Sequence, residues 1–320
     1  MGIWNLFGDD YRKNCLAWQH STQNPVIPAS GNTWKSCWTA NPDILAHCGK
    51  TLLYYRGNGV LPGTGDARHD RIGVAEIKSV SSDTIALIEL ADGKHIVDVG
   101  EDGAFDDAHV LDPACIEFNG TVWLYYSAVG NGPDSVGLAT STDGTHFVKH
   151  GKIMDGRAPD VVVKDGKIFM LYQKRDSQDR YEFFVAHSSD GIRFDTVSDT
   201  AVFAHSEGRA WDSHDVVTPR LLQDGDEYFM IYGGSSYLID QPDYFGLARS
   251  PDLIHWERHP GNPIFGCGPK GSEDGGAIWF PALMETEESF VLLYEGSRGN
   301  YGGDISSQIC MATLSKTSKL

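Results

Sequence analysis

The chain has 320 residues, 41% of them hydrophobic, and its 44 acidic against 26 basic residues give a net charge of −18. This apolar fraction supports a folded core and argues against disorder. The acidic balance argues against nucleic acid and anionic membranes as partners, because phosphate groups bind to cationic surfaces. No apolar run approaches the roughly 18 residues of a membrane-spanning helix. The N-terminus also lacks a secretory signal, so we expect a cytoplasmic protein, or a secreted one if a leader was removed.

The first recognisable pattern lies near residues 15–28. Trp18 is followed six residues later by Asn24-Pro25-Val26-Ile27, just as Trp256 is followed by Asn262-Pro263-Ile264-Phe265. The second copy ends the fourth unit of a repeated series, so the first resembles the last strand of a repeat that has moved to the N-terminus. A strand moved in this way closes a circular array and leaves no open sheet edge.

A hairpin pattern then recurs five times along the chain. Each copy has a first strand that begins around a proline, a turn, and an apolar second strand that ends in tyrosine. The second strands are expected at 52–55, 123–126, 168–172, 228–232 and 290–294. Small residues follow as a third strand, and three copies continue through a Ser-Asp turn to a fourth strand that starts at Phe147, Phe194 or Trp256.

These repeats predict an all-β fold, a single five-bladed β-propeller domain over 1–320 with four-stranded blades. The ring is closed by the N-terminal strand near 15–28, which completes the last blade. The blades are expected at 34–110, 111–156, 157–206, 207–266 and 267–320.

Four aspartates fall at matching positions of the innermost strands. Each aspartate lies an odd number of residues before the turn residue of its hairpin. Because alternate residues of a strand point the same way, odd positions share one face. We therefore expect Asp43, Asp112, Asp160 and Asp215 to converge near the mouth of the central channel. Crowded carboxylates acquire different pKa values, so that one serves as an acid and another as a base, as glycosidic bond cleavage requires. The competing interpretation is that each aspartate caps a turn or binds neighbouring backbone.

Several motifs resemble the five-bladed glycosidases of glycoside hydrolase family 43 and its relatives, over roughly 34–312. They are Asn41-Pro42-Asp43-Ile44-Leu45, Asp112-Pro113-Ala114, Ala158-Pro159-Asp160-Val161 and Ser250-Pro251-Asp252-Leu253-Ile254-His255-Trp256. The resemblance implies an inverting enzyme with three carboxylates. Asp43 would be the general base, and Asp160 would tune the pKa of the acid and orient the sugar.

The family's general acid, a glutamate at the start of the fourth inner strand, has no direct match. Three residues near this strand are candidates. Asp215 has the right parity and position, Glu207 has the right residue type, and the imidazole of His214 is a further acid. We favour Asp215 over Glu207.

Other side chains are candidates for substrate binding. Trp38 and Trp279 lie near inner-strand starts and would stack on a sugar ring, with core packing as the alternative. Arg157 and Arg220 flank the carboxylates and would bind hydroxyl groups or form structural ion pairs. Asp112 and His214 complete the predicted binding set.

Together these features predict an exo-acting, inverting glycoside hydrolase that acts on an oligosaccharide or small glycoside. Furanosides or pentosides such as arabinofuranosides and xylosides are the expected substrates. No cofactor or catalytic metal is expected, although the resemblance allows a structural calcium in the channel. One alternative is a phosphorylase or fructosyl-acting relative, with phosphate bound by Arg56, Arg68 and Arg157. The other is a non-catalytic sugar-binding propeller.

Overall fold

The computed structural model describes residues 2–31, 33–61, 63, 67–299 and 306–317. Parts of the predicted blades 34–110 and 267–320, namely 62, 64–66, 300–305 and 318–320, lie outside the described residues. Helical structure in the described part is confined to α1 (Tyr11–Leu16) and two 3-10 turns at Ile3–Leu6 and Ala91–Gly93. None of these helices is long and apolar enough to cross a bilayer. The chain is therefore all-β, as predicted.

The described residues form strands that assemble into four hydrogen-bonded sheets. In chain order the strands are β1 (Gln19–His20), β2 (Trp38–His47), β3 (Lys50–Gly59), β4 (His69–Val80), β5 (Ile85–Glu89), β6 (His109–Phe118), β7 (Thr121–Val129), β8 (Ser135–Ser141), β9 (Val148–Asp155), β10 (Arg157–Lys164), β11 (Lys167–Arg175), β12 (Tyr181–Ser188), β13 (Asp195–Thr196), β14 (Asp215–Asp224), β15 (Glu227–Ser235), β16 (Tyr244–Ser250), β17 (Glu257–Arg258), β18 (Phe265–Gly266), β19 (Ala277–Glu285), β20 (Ser289–Ser297) and β21 (Gln308–Ser315).

Three sheets have one main run of neighbouring strands each, in the orders β10-β11-β12-β13, β14-β15-β16-β17 and β1-β21-β20-β19, and β18 also pairs with β16. The largest sheet has the order β2-β3-β4-β6-β7-β8-β9, with β5 on β4. Its β4–β6 link is a single parallel pair between Asp70 and His109, whereas the pairs on either side are antiparallel ladders. The described strands therefore fall into five antiparallel groups.

The predicted hairpins are confirmed in the register of these groups. β2 pairs with β3, β6 with β7, and β10 with β11, each antiparallel. Their turns are Cys48-Gly49, Asn119-Gly120 and Asp165-Gly166, and both residues of each turn have positive φ. This is the conformation that type I′ turns require, and it suits the right-handed twist of the flanking strands.

The N-terminal strand completes the last sheet, as the sequence predicted. β1 pairs antiparallel with β21, with Gln19 opposite Thr313 and His20 opposite Ala312. The buried Trp18 packs beside Phe7 and edge-on to Phe265, with ring centroids 6.4 and 5.5 Å away. The N-terminal segment is therefore held by both backbone pairing and apolar packing.

The five groups are arranged in a closed cycle. Their first strands contact one another in the order β2, β6, β10, β14, β19 and back to β2. Buried side chains fill the space between neighbouring groups, so each group shares an apolar interface with the next. Second-strand residues of neighbouring groups belong to the same buried clusters, namely Tyr54 with Leu124, Tyr125 with Met170, Leu171 with Met230, Ile231 with Leu292, and Leu293 with Leu53.

Every first strand contains a bulge at its proline. The bulges place one extra residue opposite the second strand, and the residue before each proline has positive φ. These residues are Asn41, Asp112, Ala158, Thr218 and Phe280. Proline cannot donate a ladder hydrogen bond, and one extra residue reverses the alternation of side chains beyond it. The bulge therefore determines which side chains face which end of the ring.

Candidate functional site

Two cavities lie between the first strands, where the five groups meet. The larger of these two has a volume of about 260 Å³, and all five groups contribute to its lining. Aromatic walls, carboxylates and guanidinium groups line it together. The lining residues are Trp38, Asn41, Arg56, Asp112, Arg157, Gln173, Thr218, Asp240, Trp279, Phe280, Glu295 and Ser307. This combination of apolar walls with a few convergent polar groups is typical of a ligand site.

The bulges supply part of this lining. Asn41, Asp112, Thr218 and Phe280 are all bulge residues with positive φ. Such a backbone conformation is uncommon outside glycine and costs free energy, so it persists where the surrounding structure holds it. Four of the five bulges therefore deliver a side chain to the same cavity.

The second strands supply another part, at the position just after the repeated tyrosine. The residue at this position of each second strand pairs with the first-strand residue that comes directly before the bulge. They are Arg56, Ser127, Gln173, Gly233 and Glu295, and three of them line the larger cavity. Arg56 Nη1 donates to Asn41 Oδ1 at 3.0 Å, and Asn41 Nδ2 donates to Glu295 Oε2 at 3.0 Å. A hydrogen-bonded chain thus links three lining residues of two adjacent groups.

Asp70 orients one wall of the larger cavity. Its Oδ1 accepts hydrogen bonds from Arg56 Nε (2.9 Å), Trp38 Nε1 (3.1 Å) and Asn58 Nδ2 (2.9 Å). Burial alone would raise the pKa of Asp70, but the Arg56 guanidinium and the hydrogen bonds outweigh it and hold the pKa well below its ordinary value. Asp70 therefore stays ionised and fixes both the indole and the guanidinium.

Asp112 is the carboxylate with the fewest partners. It is 1% exposed, and neither of its oxygens receives a hydrogen bond from the described residues. The closest cationic atom is Arg157 Nε, 3.8 Å from Oδ2. Burial raises the pKa of Asp112 and outweighs the opposing effects of the Arg157 guanidinium and the nearby Ser127 hydroxyl. A buried carboxyl with so little compensation favours its protonated form, from which it can donate a proton.

Two further carboxylates in the larger cavity have raised pKa values. Burial raises the pKa of Glu295 to about 7 and that of Asp240 to about 6, with Arg56 opposing the first effect and Arg157 the second. Asp240 lies in the loop between β15 and β16. Its backbone N–H donates to Asp215 Oδ2 at 2.6 Å, and its carbonyl accepts from Trp279 Nε1 at 3.1 Å. The loop is thus held on both sides of the Asp240 side chain.

The smaller cavity, of about 90 Å³, is lined by Asp43, Asp160, Arg220 and Cys115 among others. Arg220 Nη1 lies 3.1 Å from Asp160 Oδ1, and Asp43 Oδ2 accepts from Cys115 N at 2.6 Å. Burial raises the pKa of Asp160 to about 7 and also raises that of Asp43, and Arg220 opposes both shifts. Asp43, Asp160 and Arg220 are called the axis cluster below.

The expectation that four aspartates share one face is wrong. Asp112 lines the larger cavity, whereas Asp43 and Asp160 line the smaller one. The reason is the bulge: Asp112 lies within it, and Asp43 and Asp160 lie just beyond it, where the alternation is reversed. Asp215 lines neither cavity and instead binds the backbone N–H groups of Tyr181 and Asp240.

The other predicted residues divide between the two cavities and the surface. Trp38, Arg157 and Trp279 line the larger cavity, and Arg220 lines the smaller one. Glu207 is exposed and lies in neither. His214 donates its backbone N–H to Ser235 at 3.0 Å and likewise lies in neither.

Sequence reasoning missed several lining residues, chiefly Glu295, Asp240, Gln173 and Phe280. A signal for Glu295 and Gln173 was present, because each follows the tyrosine that ends a repeated second strand. No repeat marks Asp240, which lies in a loop peculiar to one group.

The axis cluster does not suit calcium, because the Arg220 guanidinium already supplies a cation to its carboxylates and Ca²⁺ prefers six to eight oxygen ligands. For the rest of the channel the calcium expectation stays a prediction. Elsewhere in the described residues, Asp176, Glu182 and His205 place ligand atoms within 4.8 Å of one another. Arg180 Nη2 lies 2.7 Å from Asp176 Oδ2 and pairs with it. No metal-dependent step is therefore assigned to this group.

No protein-family model matches the sequence, and comparison with curated proteins found no match. Solved structures do match. A glycosyl hydrolase from Bacteroides ovatus has a TM-score of 0.73 at 17% identity, over 100% of this chain and 97% of that one. A second match comes from work on the GH130 family of mannoside phosphorylases, which contains glycoside hydrolases that target β-1,2 mannosidic linkages in Candida mannan. It has a TM-score of 0.72 at 18% identity, over 100% of this chain and 97% of that one.

A β-1,2-mannobiose phosphorylase from Listeria innocua is also similar, with a TM-score of 0.69 at 14% identity, over 92% of this chain and 96% of that one. At these identities the likeness establishes a shared fold, which spans nearly the whole length of each chain. The resemblance to glycoside hydrolase family 43 stays a prediction.

Proposed function

We propose that this protein is an enzyme that cleaves glycosidic bonds in the larger cavity. The observation that carries the proposal is Asp112, a buried carboxyl with a raised pKa in a cavity with aromatic walls, where only Arg157 and the Ser127 hydroxyl partly offset its burial. Proteins that share the fold over nearly their whole length include glycoside hydrolases and a mannobiose phosphorylase. Fold alone does not define chemistry, so the proposal rests on the side chains.

In this proposal Asp112 is the general acid. Burial raises its pKa and so favours the protonated form, from which a proton can pass to the oxygen of the leaving sugar. Arg157, 3.8 Å away, stabilises the carboxylate that remains after the transfer. In this proposal Asp112 takes the place of Asp215, the acid favoured from the sequence, and of its alternative Glu207.

Asp240 is the proposed base. It lines the larger cavity with its side chain, and its loop is fixed through the Asp215 and Trp279 contacts. With a pKa of about 6 it is ionised at neutral pH and can accept a proton from water. Glu295 is held by Asn41 and serves to orient a sugar hydroxyl.

The cavity walls support binding at the end of a sugar chain. Trp38, Trp279 and Phe280 offer aromatic faces of the kind on which sugar rings stack. The cavity has a volume of about 260 Å³, which is smaller than the roughly 300–1,000 Å³ of sites that hold drug-sized ligands. This small volume suits the end of a sugar chain. An exo-acting, inverting glycosidase on furanosides or pentosides is the specific form that the sequence predicts.

Phosphorolysis is the second candidate, and the two cavity arginines favour it. Arg56 and Arg157 both line the cavity, and guanidinium groups bind phosphate bidentately. Arg68, the third residue of the predicted phosphate set, lies over the Trp38 ring at 4.8 Å. Phosphate held by these groups would attack the anomeric carbon in place of water.

The proposal includes the architecture. We take the five antiparallel groups as blades of one five-bladed propeller domain over 1–320, with boundaries at 34–110, 111–156, 157–206, 207–266 and 267–320. The closed cycle of first strands and the pairing of β1 with β21 support it.

Turnover of a glycoside panel tests the function. The panel should contain aryl arabinofuranosides, xylosides and mannosides together with β-1,2-mannobiose, each with and without inorganic phosphate. Cleavage that is independent of phosphate supports hydrolysis, and cleavage that requires phosphate and releases a sugar 1-phosphate supports phosphorolysis. Saturable sugar binding without cleavage, at more than one sugar per chain, would instead support a sugar-binding propeller.

A further inference from the structure

Arg220 lies at the point where all five first strands meet. It belongs to β14, and its side chain is 3% exposed. Its Nη1 lies 3.1 Å from Asp160 Oδ1 on β10, and its Nη2 donates to the carbonyls of Pro42 on β2 (3.1 Å) and Pro113 on β6 (2.9 Å). Its guanidinium carbon lies 5.3 Å from the centre of the Phe280 ring on β19. One side chain therefore contacts each of the other four first strands.

These contacts fall at the bulges. Pro42 follows Asn41 and Pro113 follows Asp112, so each bonded carbonyl is one residue from a side chain that lines the larger cavity. Phe280 is itself a bulge residue and a lining residue. Arg220 lines only the smaller cavity. Its charge acts on Asp112 across the intervening space, and any effect on the geometry of the larger cavity passes through the backbone and the Phe280 ring.

We propose that Arg220 is a positioning residue that sets the places of Asn41, Asp112 and Phe280 in the larger cavity by holding their bulges together. The role of these three residues in catalysis rests on the proposed function. Under this proposal Asp160 and Asp43 support Arg220, and they are not the modulator and the base that the sequence suggested.

Only arginine suits this place. Its rigid, planar guanidinium carries five donors and reaches acceptors on three strands at once, whereas lysine presents a single point charge. A buried cation is costly unless it is paired. The axis cluster provides the pairing: Arg220 bonds Asp160, and Asp43 and Asp160 are fixed by the backbone N–H groups of Cys115 and Leu221. The prolines leave their carbonyls free because the bulges interrupt the ladder.

Arg220→Lys is the first test, because it keeps the positive charge and removes the planar guanidinium group that binds several strands at once. We expect kcat/KM for the best substrate of the panel to fall roughly 10- to 100-fold, the scale of effect of a misplaced catalytic group. The assay is run well below the melting temperature of the variant, so a loss of folded protein does not account for the fall. Arg258→Lys is the matched control, because Arg258 forms a partly buried ion pair with Asp212 outside both cavities. It should leave kcat/KM unchanged within about 2-fold.

The crystal structure of Arg220→Lys tests the inference without any activity measurement. We expect the bulges at Asn41 and Asp112 to shift relative to the rest of the ring. If this variant does not fold, Asp160→Asn provides the same comparison, because it weakens the anchor of Arg220 and leaves the guanidinium in place.

The outcomes separate the two proposals. Displaced bulges support the positioning role even if the wild type cleaves nothing in the panel, in which case only the proposed function fails. Bulges that superimpose on the wild type, or an unchanged kcat/KM in an active enzyme, would overturn the positioning role.

Discussion

At the scale of single residues, the site depends on carboxyl groups whose surroundings differ. Asp70 receives three hydrogen bonds at one oxygen and stays ionised. Asp112 is buried with far weaker compensation from Arg157 and the Ser127 hydroxyl, so its pKa is raised and its protonated form is favoured. Asp240 lies between these extremes, with a pKa of about 6. Carboxyl groups held in different protonation states are what acid–base cleavage of a glycosidic bond needs.

The pH dependence of turnover tests the base. Below a pH of about 6 Asp240 becomes protonated and cannot accept a proton, so we expect kcat to fall as pH is lowered through this value. The Asp240→Asn variant should lose most of its turnover, and any residual rate should lack this acidic limb. Asp243→Asn, in the same loop, is the control and should keep the wild-type profile. An unchanged acidic limb in Asp240→Asn would show that another group is the base.

Glu295 gives a prediction for stability. Its pKa is raised from 4.5 to about 7, so the folded state holds its proton more tightly than the unfolded chain. Its contribution to stability is therefore fully present below pH 4.5 and is lost as pH rises through about 7. A fully titrating group changes the free energy of unfolding by about 1.4 kcal/mol per pH unit.

Chemical unfolding between pH 4.5 and 8 measures this effect. Glu295→Gln should remove part of the wild-type decline, leaving a flatter curve. Glu285→Gln, at a 59% exposed side chain, is the control and should follow the wild type. Equal slopes in the wild type and Glu295→Gln would contradict the raised pKa.

At the scale of elements, the sequence predicted the hairpins but not the bulges. Asn119-Gly120 and Asp165-Gly166 are strong turn signals between apolar runs, and both turns formed as expected. The X-Pro steps looked like strand starts, yet they lie inside the strands and shift the register. Period-two counting fails across such a step, which is why Asp43 and Asp112 were wrongly placed on one face.

The N-terminal strand provides a second prediction at this scale. β1 has only two paired residues, so much of its attachment comes from the buried Trp18 beside Phe7 and Phe265. We expect Trp18→Ala to lower the free energy of unfolding by about 3–5 kcal/mol, as for other buried aromatic side chains. Leu16→Ala is the control in the same segment, because Leu16 is 84% exposed. Similar small losses in both variants would show that this segment does not stabilise the ring.

At the scale of the whole molecule, internal repeats predicted more than any single motif. Five hairpins and a displaced strand indicated a closed array, and the first strands do contact one another in a cycle. The composition of the cavity was harder to predict, because its residues come from all five groups. Arg56 and Glu295 are more than 200 residues apart in sequence, yet both bind Asn41.

The same view explains why the predicted site residues divide between two cavities. The aspartates of the family resemblance, Asp43 and Asp160, lie with Arg220 in the smaller cavity. The similarity in sequence identifies the residues next to Asp43 and Asp160 along the chain, but it does not show which end of the channel these two side chains face. The bulges determine which end each side chain faces, and each bulge depends on the backbone conformation of a single residue.

The most direct test of the central claim compares Asp112→Asn with the wild type on the best glycoside of the panel. The account predicts that kcat falls by roughly 10²–10⁴-fold, the usual contribution of a general acid, while the sugar still binds with similar affinity. Asp134→Asn is the matched control, because Asp134 is a 43% exposed partner of the same Arg157 and should keep its turnover. Turnover by Asp112→Asn within about 3-fold of the wild type, a loss of only about 0.6 kcal/mol in transition-state stabilisation, would contradict the account.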